Sequence, residues 1–250
     1  MAETKQVIVR VKRQVSPQGT GYWEEFALPW RPAMNVIICL RDIAENPVTR
    51  EGKKTTPISY DSNCLEEVCG SCAMVINGRA RMACSALVDK LEQPIRLEPM
   101  SKFPVVRDLA VDRQFMFESL KRVKAWIPVD GTYDLGEGPR MAPETQEKAY
   151  PLSRCITCGS CLEVCPQVNA GSKFIGAAII SQVRLFNMHP TGAMHAKERI
   201  AALMEPGGVQ DCANAQNCVK ACPKEIPLTE SIAEMNRAAW KQALLGWLVG

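Results

Sequence analysis

Twelve cysteines in 250 residues, eleven of them in three groups of regular spacing, constrain this chain more than any other feature. The first group is Cys64, Cys69 and Cys72, a C-x4-C-x2-C core, followed by Cys84 after eleven intervening residues. The second is Cys155, Cys158, Cys161 and Cys165 with Pro166, a C-x2-C-x2-C-x3-C-P run. The third, Cys212, Cys218 and Cys222 with Pro223, repeats that run except that Ala215 stands where its second cysteine would be. The N-terminal residues MAETKQVIVRVKRQ lack the apolar core and cleavage site of a secretory leader, so a reducing, cytosolic compartment is expected. In such a compartment structural disulfides explain a count like this poorly, and metal explains it well.

The remaining composition removes several classes of function. Hydrophobic residues at 46% and charged residues at 23% are ordinary for a globular protein, and 250 residues leave room for two modules. Thirty Lys and Arg stand against 27 Asp and Glu, with the small excess in the first 130 residues; no basic patch argues for a nucleic acid partner. The uncharged stretches at 174–183 and 242–250 fall short of the roughly 20 residues a spanning helix needs, so no transmembrane helix is expected.

The first module reads as mixed β with one helix. Val7, Val9 and Val11 alternate with Ile8, Arg10 and Lys12, and Tyr22 to Leu28 forms a second strand pattern. Asn35 is placed to cap a helix with Ile37, Leu40, Ile43 and Ala44 on one face, ended by Asn46-Pro47. In AMVINGRARMAC, residues 73–84, Asn77-Gly78 predicts a type I′ turn between two short strands. With Ile76 opposite Arg79, Cys72 then faces Ala83, and the hairpin brings Cys84 back to Cys72. Met116, Leu120, Val123 and Ile127 predict a connecting helix stopped by Pro128, and GTYDLGEGPR, residues 131–140, reads as a loop. Beyond it, Phe174 to Phe186 and Glu230 to Leu245 carry helical periods, so the second module is expected to be mainly helical. The boundary is placed near residue 105, giving modules 1–105 and 106–250.

The spacings select the chemistry. C-x4-C-x2-C is the plant-type [2Fe–2S] spacing, and the hairpin explains how Cys84 serves as fourth ligand so soon; a tetrahedral zinc held by four thiolates is the alternative. The C-x2-C-x2-C-x3-C-P run is that of bacterial two-cluster proteins, in which the fourth cysteine serves the other cluster. Crossing over in this way assigns Cys155, Cys158, Cys161 and Cys222 to a [4Fe–4S] cluster, and Cys165, Cys212 and Cys218 to the other. Because Ala215 cannot bind a corner iron, [3Fe–4S] is expected there, with a [4Fe–4S] cluster carrying a non-protein fourth ligand as the second reading. Cys39, among Ile37, Ile38 and Leu40, is expected to be a small buried hydrophobe. Neither a G-x-G-x-x-G nor a P-loop pattern is present, so no flavin or nucleotide site is signalled. His189 and His195 show no Rieske pattern, and Glu66-Glu67 reads as a solvated rim. No catalytic constellation remains on this chain.

The segments SNCLEEVCGSCAMVINGRARMAC, RCITCGSCLEVCP and DCANAQNCVKACPKEIP together resemble the iron–sulfur subunits of succinate dehydrogenase and fumarate reductase, over essentially the whole chain. That resemblance implies an α+β protein: an N-terminal β-grasp [2Fe–2S] ferredoxin domain followed by an α-helical ferredoxin domain. It implies a flavoprotein partner with FAD and the dicarboxylate site, and a membrane-anchor cytochrome b, usually with haem, where quinone binds. It implies a peripheral subunit on the cytoplasmic face of the membrane in a respiratory chain. In ubiquinone-linked members a Trp and a His help form the quinone pocket; the matching positions here are Ala170 and Ala213, which together with RVKAWIPVDGTYDLGEGPRM and SQVRLFNMHPTGAMH resembles the menaquinone-linked, di-haem branch. The quinone-contact residues are therefore not carried over. Fumarate reduction is the alternative direction; a ferredoxin-like subunit of another flavin dehydrogenase, or a zinc-stabilised structural protein, are the further alternatives. The tail from Trp240 to Val249, with Leu244, Leu245, Trp247 and Leu248, reads either as an exposed apolar patch that docks on the anchor or as a helix folded onto the core.

Overall fold

A computed structural model describes residues 5–128 and 139–249, and it separates into two compact units. The first comprises residues 1–113 together with 156–163, and the second 114–155 with 164–250. Most of the loop expected at 131–140 lies outside the described residues.

In the first unit, β1 (Gln6–Arg13) and β2 (Tyr22–Pro29) form the expected antiparallel hairpin. Their alternation is the cause: Val7, Val9 and Val11 are fully buried, and Phe26 and Leu28 join them. Helix α1 (Val36–Glu45) starts where Asn35 caps it, the Asn35 Oδ1 accepting the Ile38 N–H at 2.9 Å. It buries Ile37, Leu40 and Ile43, each contributing about 1.5–3 kcal/mol relative to exposure. Cys39 is buried with them and its thiol is pushed up to about 12 by that burial, so it behaves as a hydrophobe; Ala44, by contrast, is exposed.

Strands β3 (Ala73–Ile76) and β4 (Arg79–Met82) pair with Ala73 opposite Met82 and Ile76 opposite Arg79, the register predicted from the turn. Asn77 and Gly78 have φ of 49° and 77°, as a type I′ turn requires. The short β5 (Ile95–Glu98) was not anticipated, although it ties the sheet together. It runs parallel to β1 and antiparallel to β3, giving the order β2-β1-β5-β3-β4. A two-stranded ribbon, β6 (Val105–Arg107) and β7 (Ala110–Val111), follows. Between them Asp108, fully buried, accepts from Arg13 Nε at 2.9 Å and from the backbone N–H of Gln14 and Ser59 at 3.1 and 3.0 Å. Arg13 Nη1 also binds Glu24 at 2.5 Å, and Nη2 donates to Thr56 at 3.0 Å.

The second unit is helical, as expected. Helix α2 (Gln114–Arg122) buries Met116 but stops short of the predicted Ile127. Lys124 adopts a left-handed φ of 51°, and Ala125 N–H returns to the Leu120 carbonyl at 3.0 Å, so the chain leaves the helix before Pro128 is reached. Buried Arg199 fixes that exit by donating to the Lys124 carbonyl at 2.8 Å and the Trp126 carbonyl at 2.7 Å. Next come α3 (Pro143–Ser153), α4 (Ser160–Glu163, in the first unit), α5 (Ala177–Met188), α6 (Ala196–Met204), α7 (Asn217–Ala221) and α8 (Leu228–Val249). Helices α5 and α8 are joined by buried Arg184, whose Nη2 lies 2.7 Å from Glu230 and 2.9 Å from Glu234. No helix of the described residues is long and apolar enough to cross a membrane. Toward its end α8 is not folded onto the core: Trp240 is 65% and Trp247 81% exposed, with Leu244 and Leu245 exposed beside them.

Candidate metal centres

The first thiol group is assembled by one loop and one hairpin. Cys64 Sγ accepts backbone N–H groups from Glu66 at 3.4 Å and from Val68 and Cys69 at 3.3 Å. Three donors converge because Leu65 and Glu67 take positive φ, 62° and 57°, which turns successive N–H groups inward as in an anion-binding nest. The Cys69 thiol is held down to about 6, first by the Cys64 backbone N–H and then by the Ser71 hydroxyl and N–H. Such a thiol is largely a ready thiolate at neutral pH, the form that binds metal. Across the hairpin, Ala83 N–H donates to the Cys72 carbonyl at 3.1 Å, bringing Cys72 and Cys84 to one ladder end. Burial pushes the Cys84 thiol up to about 11, with neighbouring Cys72 adding to the effect, so metal binding there would release a proton.

Two anchors of this site escaped sequence reading. Asn35 was expected only as a helix cap, but its Nδ2 also donates to the Cys84 carbonyl at 2.9 Å. Asn77 was expected only as a turn residue, but its side chain accepts from Arg96 N–H at 2.7 Å and donates to the Glu92 carbonyl at 2.8 Å. Replacing Asn77-Gly78 by Ala-Ala forces alanine into positive φ twice, at about 1–2 kcal/mol each, and removes both bonds. The expected result is a lower [2Fe–2S] content by EPR with the other two centres retained. Equal loss of all three would instead mark general unfolding.

The second run is divided between the units, with Cys158 and Cys161 in the first and Cys155, Cys165 and Cys222 in the second. In the first unit, positive φ at Thr157 and Gly159 shapes the turn that leads into α4. Cys158 and Cys161 are buried, and the Cys158 Sγ lies 3.4 Å from the buried Ser160 hydroxyl. Glu163 anchors α4 by accepting from the Ser101 hydroxyl at 2.7 Å and the Lys102 N–H at 3.0 Å. In the second unit, Cys155 is half-buried just after α3, and Cys222 is half-buried at the end of α7.

The third set meets within the second unit. Cys165, Cys212 and Cys218 line a single cavity, and Ala215, Ala213, Phe174 and Ile232 line it with them. Here too alternate residues, Asn214 and Gln216, have positive φ, 54° and 59°. Asn217 Nδ2 holds the loop by donating to the Val164 carbonyl at 3.2 Å, and burial raises the Cys218 thiol. Another cavity, of about 590 Å³ and lined by Arg10, Trp23, Glu25 and Arg50, contains no cysteine. Among the described residues no three His, Cys, Asp or Glu side chains converge as ligands of one metal ion. Thiols collected around a nest and around a cavity are a donor set that fits iron–sulfur clusters.

The chain matches the family described as "2Fe-2S iron-sulfur cluster binding domain" over residues 7–118, and that described as "4Fe-4S dicluster domain" over residues 151–226. Fold and thiol sets together define an iron–sulfur protein with a β-grasp [2Fe–2S] ferredoxin domain and an α-helical ferredoxin domain. It is 61% identical over 243 residues to the succinate dehydrogenase iron–sulfur subunit of Bacillus subtilis, covering 97% of this chain and 96% of that one. It is 30% identical over 219 residues to the fumarate reductase iron–sulfur subunit of Wolinella succinogenes, covering 86% and 89%. Among solved structures, a chain of the Mycobacterium smegmatis Sdh1 complex in its apo form superposes with a TM-score of 0.80 at 25% identity, covering 96% and 98%. The chain belongs to the family of succinate dehydrogenase and fumarate reductase iron–sulfur subunits.

Proposed function

We propose that this chain carries electrons one at a time from the FAD of a flavoprotein subunit to a quinone, of the menaquinone type, at a membrane-anchor cytochrome b. Its domains are taken as 1–105 and 106–250. Bound clusters supply one-electron redox chemistry; the protein's own part is to hold, bury and polarise them. Cys64, Cys69, Cys72 and Cys84 hold [2Fe–2S]; Cys155, Cys158, Cys161 and Cys222 hold [4Fe–4S]; Cys165, Cys212 and Cys218 hold [3Fe–4S].

The observation that carries this reading is the cavity of the second unit, where three thiols and Ala215 meet. Ala215, at the place the repeated run gives to a cysteine, lines that cavity and offers no thiol to a fourth iron. The much higher identity to a succinate dehydrogenase subunit than to a fumarate reductase subunit favours succinate oxidation as the working direction. The exposed Trp240, Leu244 and Trp247 favour contact of α8 with the anchor, holding the chain at the cytoplasmic face as a peripheral subunit. Ala170 is exposed, and Ala213 lines the three-thiol cavity; neither can donate a hydrogen bond from its side chain to a quinone.

EPR of the anaerobically purified complex at successive potentials tests the assignment by counting and typing the clusters. Three signals, of [2Fe–2S], [4Fe–4S] and oxidised [3Fe–4S] type, are expected; a complex without the three-iron signal would overturn it. Ala215→Cys restores the missing ligand, and the oxidised three-iron signal is expected to disappear as a four-iron centre forms. Persistence of that signal beside an unreacted new thiol would show that residue 215 does not face the cluster.

A further inference from the structure

Arg113 lies at the end of the first unit, half-buried, with its guanidinium turned into the loop that carries the first thiol group. Nη1 donates to the Gly70 carbonyl at 2.8 Å, and Nη2 to those of Ser71 at 2.8 Å and Ala73 at 3.4 Å. These carbonyls flank Cys72 on both sides, so the fork holds the ligand loop by its backbone. Nε is buried and has no acceptor among the described residues, leaving one donor of this cation unspent.

The same guanidinium is within electrostatic reach of Asp61, Cys158, Cys72 and Cys69. Two of those thiols are assigned to [2Fe–2S] and one to [4Fe–4S]. The loops that carry them touch: a Cβ placed on Gly70 would lie 2.3 Å from the Ile156 carbonyl oxygen and 3.1 Å from Cys158 Cβ. One cation therefore faces ligands of two clusters at a backbone contact. Reducing a cluster adds negative charge, and a fixed positive charge in a partly desolvated position stabilises the reduced form.

We propose that Arg113 is a shared positioning residue, which fixes the Cys69–Cys72 loop and raises the midpoint potentials of the [2Fe–2S] and [4Fe–4S] centres together. The proposal rests on the assignment of Cys158 to the [4Fe–4S] centre. Its physical requirement is that the charge and the fork act on both centres and leave the three-thiol centre alone.

The test is an EPR-monitored redox titration of the assembled complex carrying R113Q, R113K or D61N. R113Q is expected to move both midpoints to more negative potential with the [3Fe–4S] midpoint unchanged, and R113K to stay near the wild type because it keeps the charge. D61N removes the anion that offsets Arg113 and is expected to move both midpoints the other way. Unchanged midpoints in R113Q at full cluster occupancy, a shift confined to one centre, or equal shifts in R113Q and R113K would each overturn the proposal. If R113Q fails to take up its clusters, R113K and D61N decide, and D61N leaving either midpoint unmoved would overturn it. A wild-type complex lacking one of the two signals would overturn the cluster assignment, and this proposal with it.

Discussion

Gly70→Ala is expected to strip most of the [2Fe–2S] centre from the protein, because the position leaves no room for a methyl group. Gly70 has φ of 73°, where an L residue costs about 1–2 kcal/mol. The larger obstacle is contact. The added Cβ would sit 2.3 Å from the Ile156 carbonyl oxygen and 3.0 Å from Cys158 Cα, and both are backbone atoms with no rotamer to escape into. The 64–72 loop must then part from the 156–158 turn, and the Arg113 bond to the Gly70 carbonyl is strained with it. Iron and acid-labile sulfide per chain, together with the [2Fe–2S] EPR signal, measure the loss. Gly52→Ala is the control: its φ is 83°, yet nothing lies within 4 Å of its Cβ position, so it carries the dihedral cost alone. Comparable loss in the two variants would mean that the contact contributes nothing.

Asp108→Ala is expected to be the most destabilising single change in the sheet domain, at about 3–5 kcal/mol, since it leaves Arg13 buried without one of its two carboxylate partners. Arg13 and Asp108 are each 1% exposed at the side chain, and the Gln14 and Ser59 N–H groups lose their acceptor in the same step. The temperature at which the visible absorption of the [2Fe–2S] centre bleaches should fall sharply. The triple variant Arg13→Met, Glu24→Gln and Asp108→Leu should recover part of that loss, because it removes all three buried charges, Glu24 included, instead of stranding one. A triple variant as unstable as Asp108→Ala would show that packing, not charge, sets the cost.

What could be read in advance was local. Asn77-Gly78 sets the hairpin register because the turn type demands positive φ at both residues, and the neighbouring strand pairs follow by counting. Asn35 is legible as a cap because its side chain answers an N–H three residues away. The third thiol set was legible through one substitution in a repeated run, since Ala215 departs from a spacing that chemistry otherwise enforces. What was hidden depended on partners remote in sequence. Strand β5 is four residues long and takes its place from β1, more than eighty residues earlier, by parallel pairing that leaves no local signature. Arg13 and Asp108 are separated by 95 positions, and Arg113 reads as an ordinary surface arginine until Gly70, Ser71 and Ala73 are placed around it. Helix α2 misled for a related reason: its apolar period continues to Ile127, but Arg199 captures the Lys124 and Trp126 carbonyls and holds the chain outside the helix.

The order of the sheet also sets an order in time. All four thiols of the first group are in the chain once Cys84 is made, but the hairpin that aligns Cys72 with Cys84 is joined to β1 only through β5, at residues 95–98. The buried charge of Arg13 finds Asp108 later still, and Cys158 arrives last, more than eighty residues after the 64–72 loop it comes to lie beside. A chain ending between residues 84 and 95 therefore contains all four ligands of its first centre on a hairpin that still lacks the strand it docks against. The first metal-binding loop is complete in the chain before the sheet that shelters it can be.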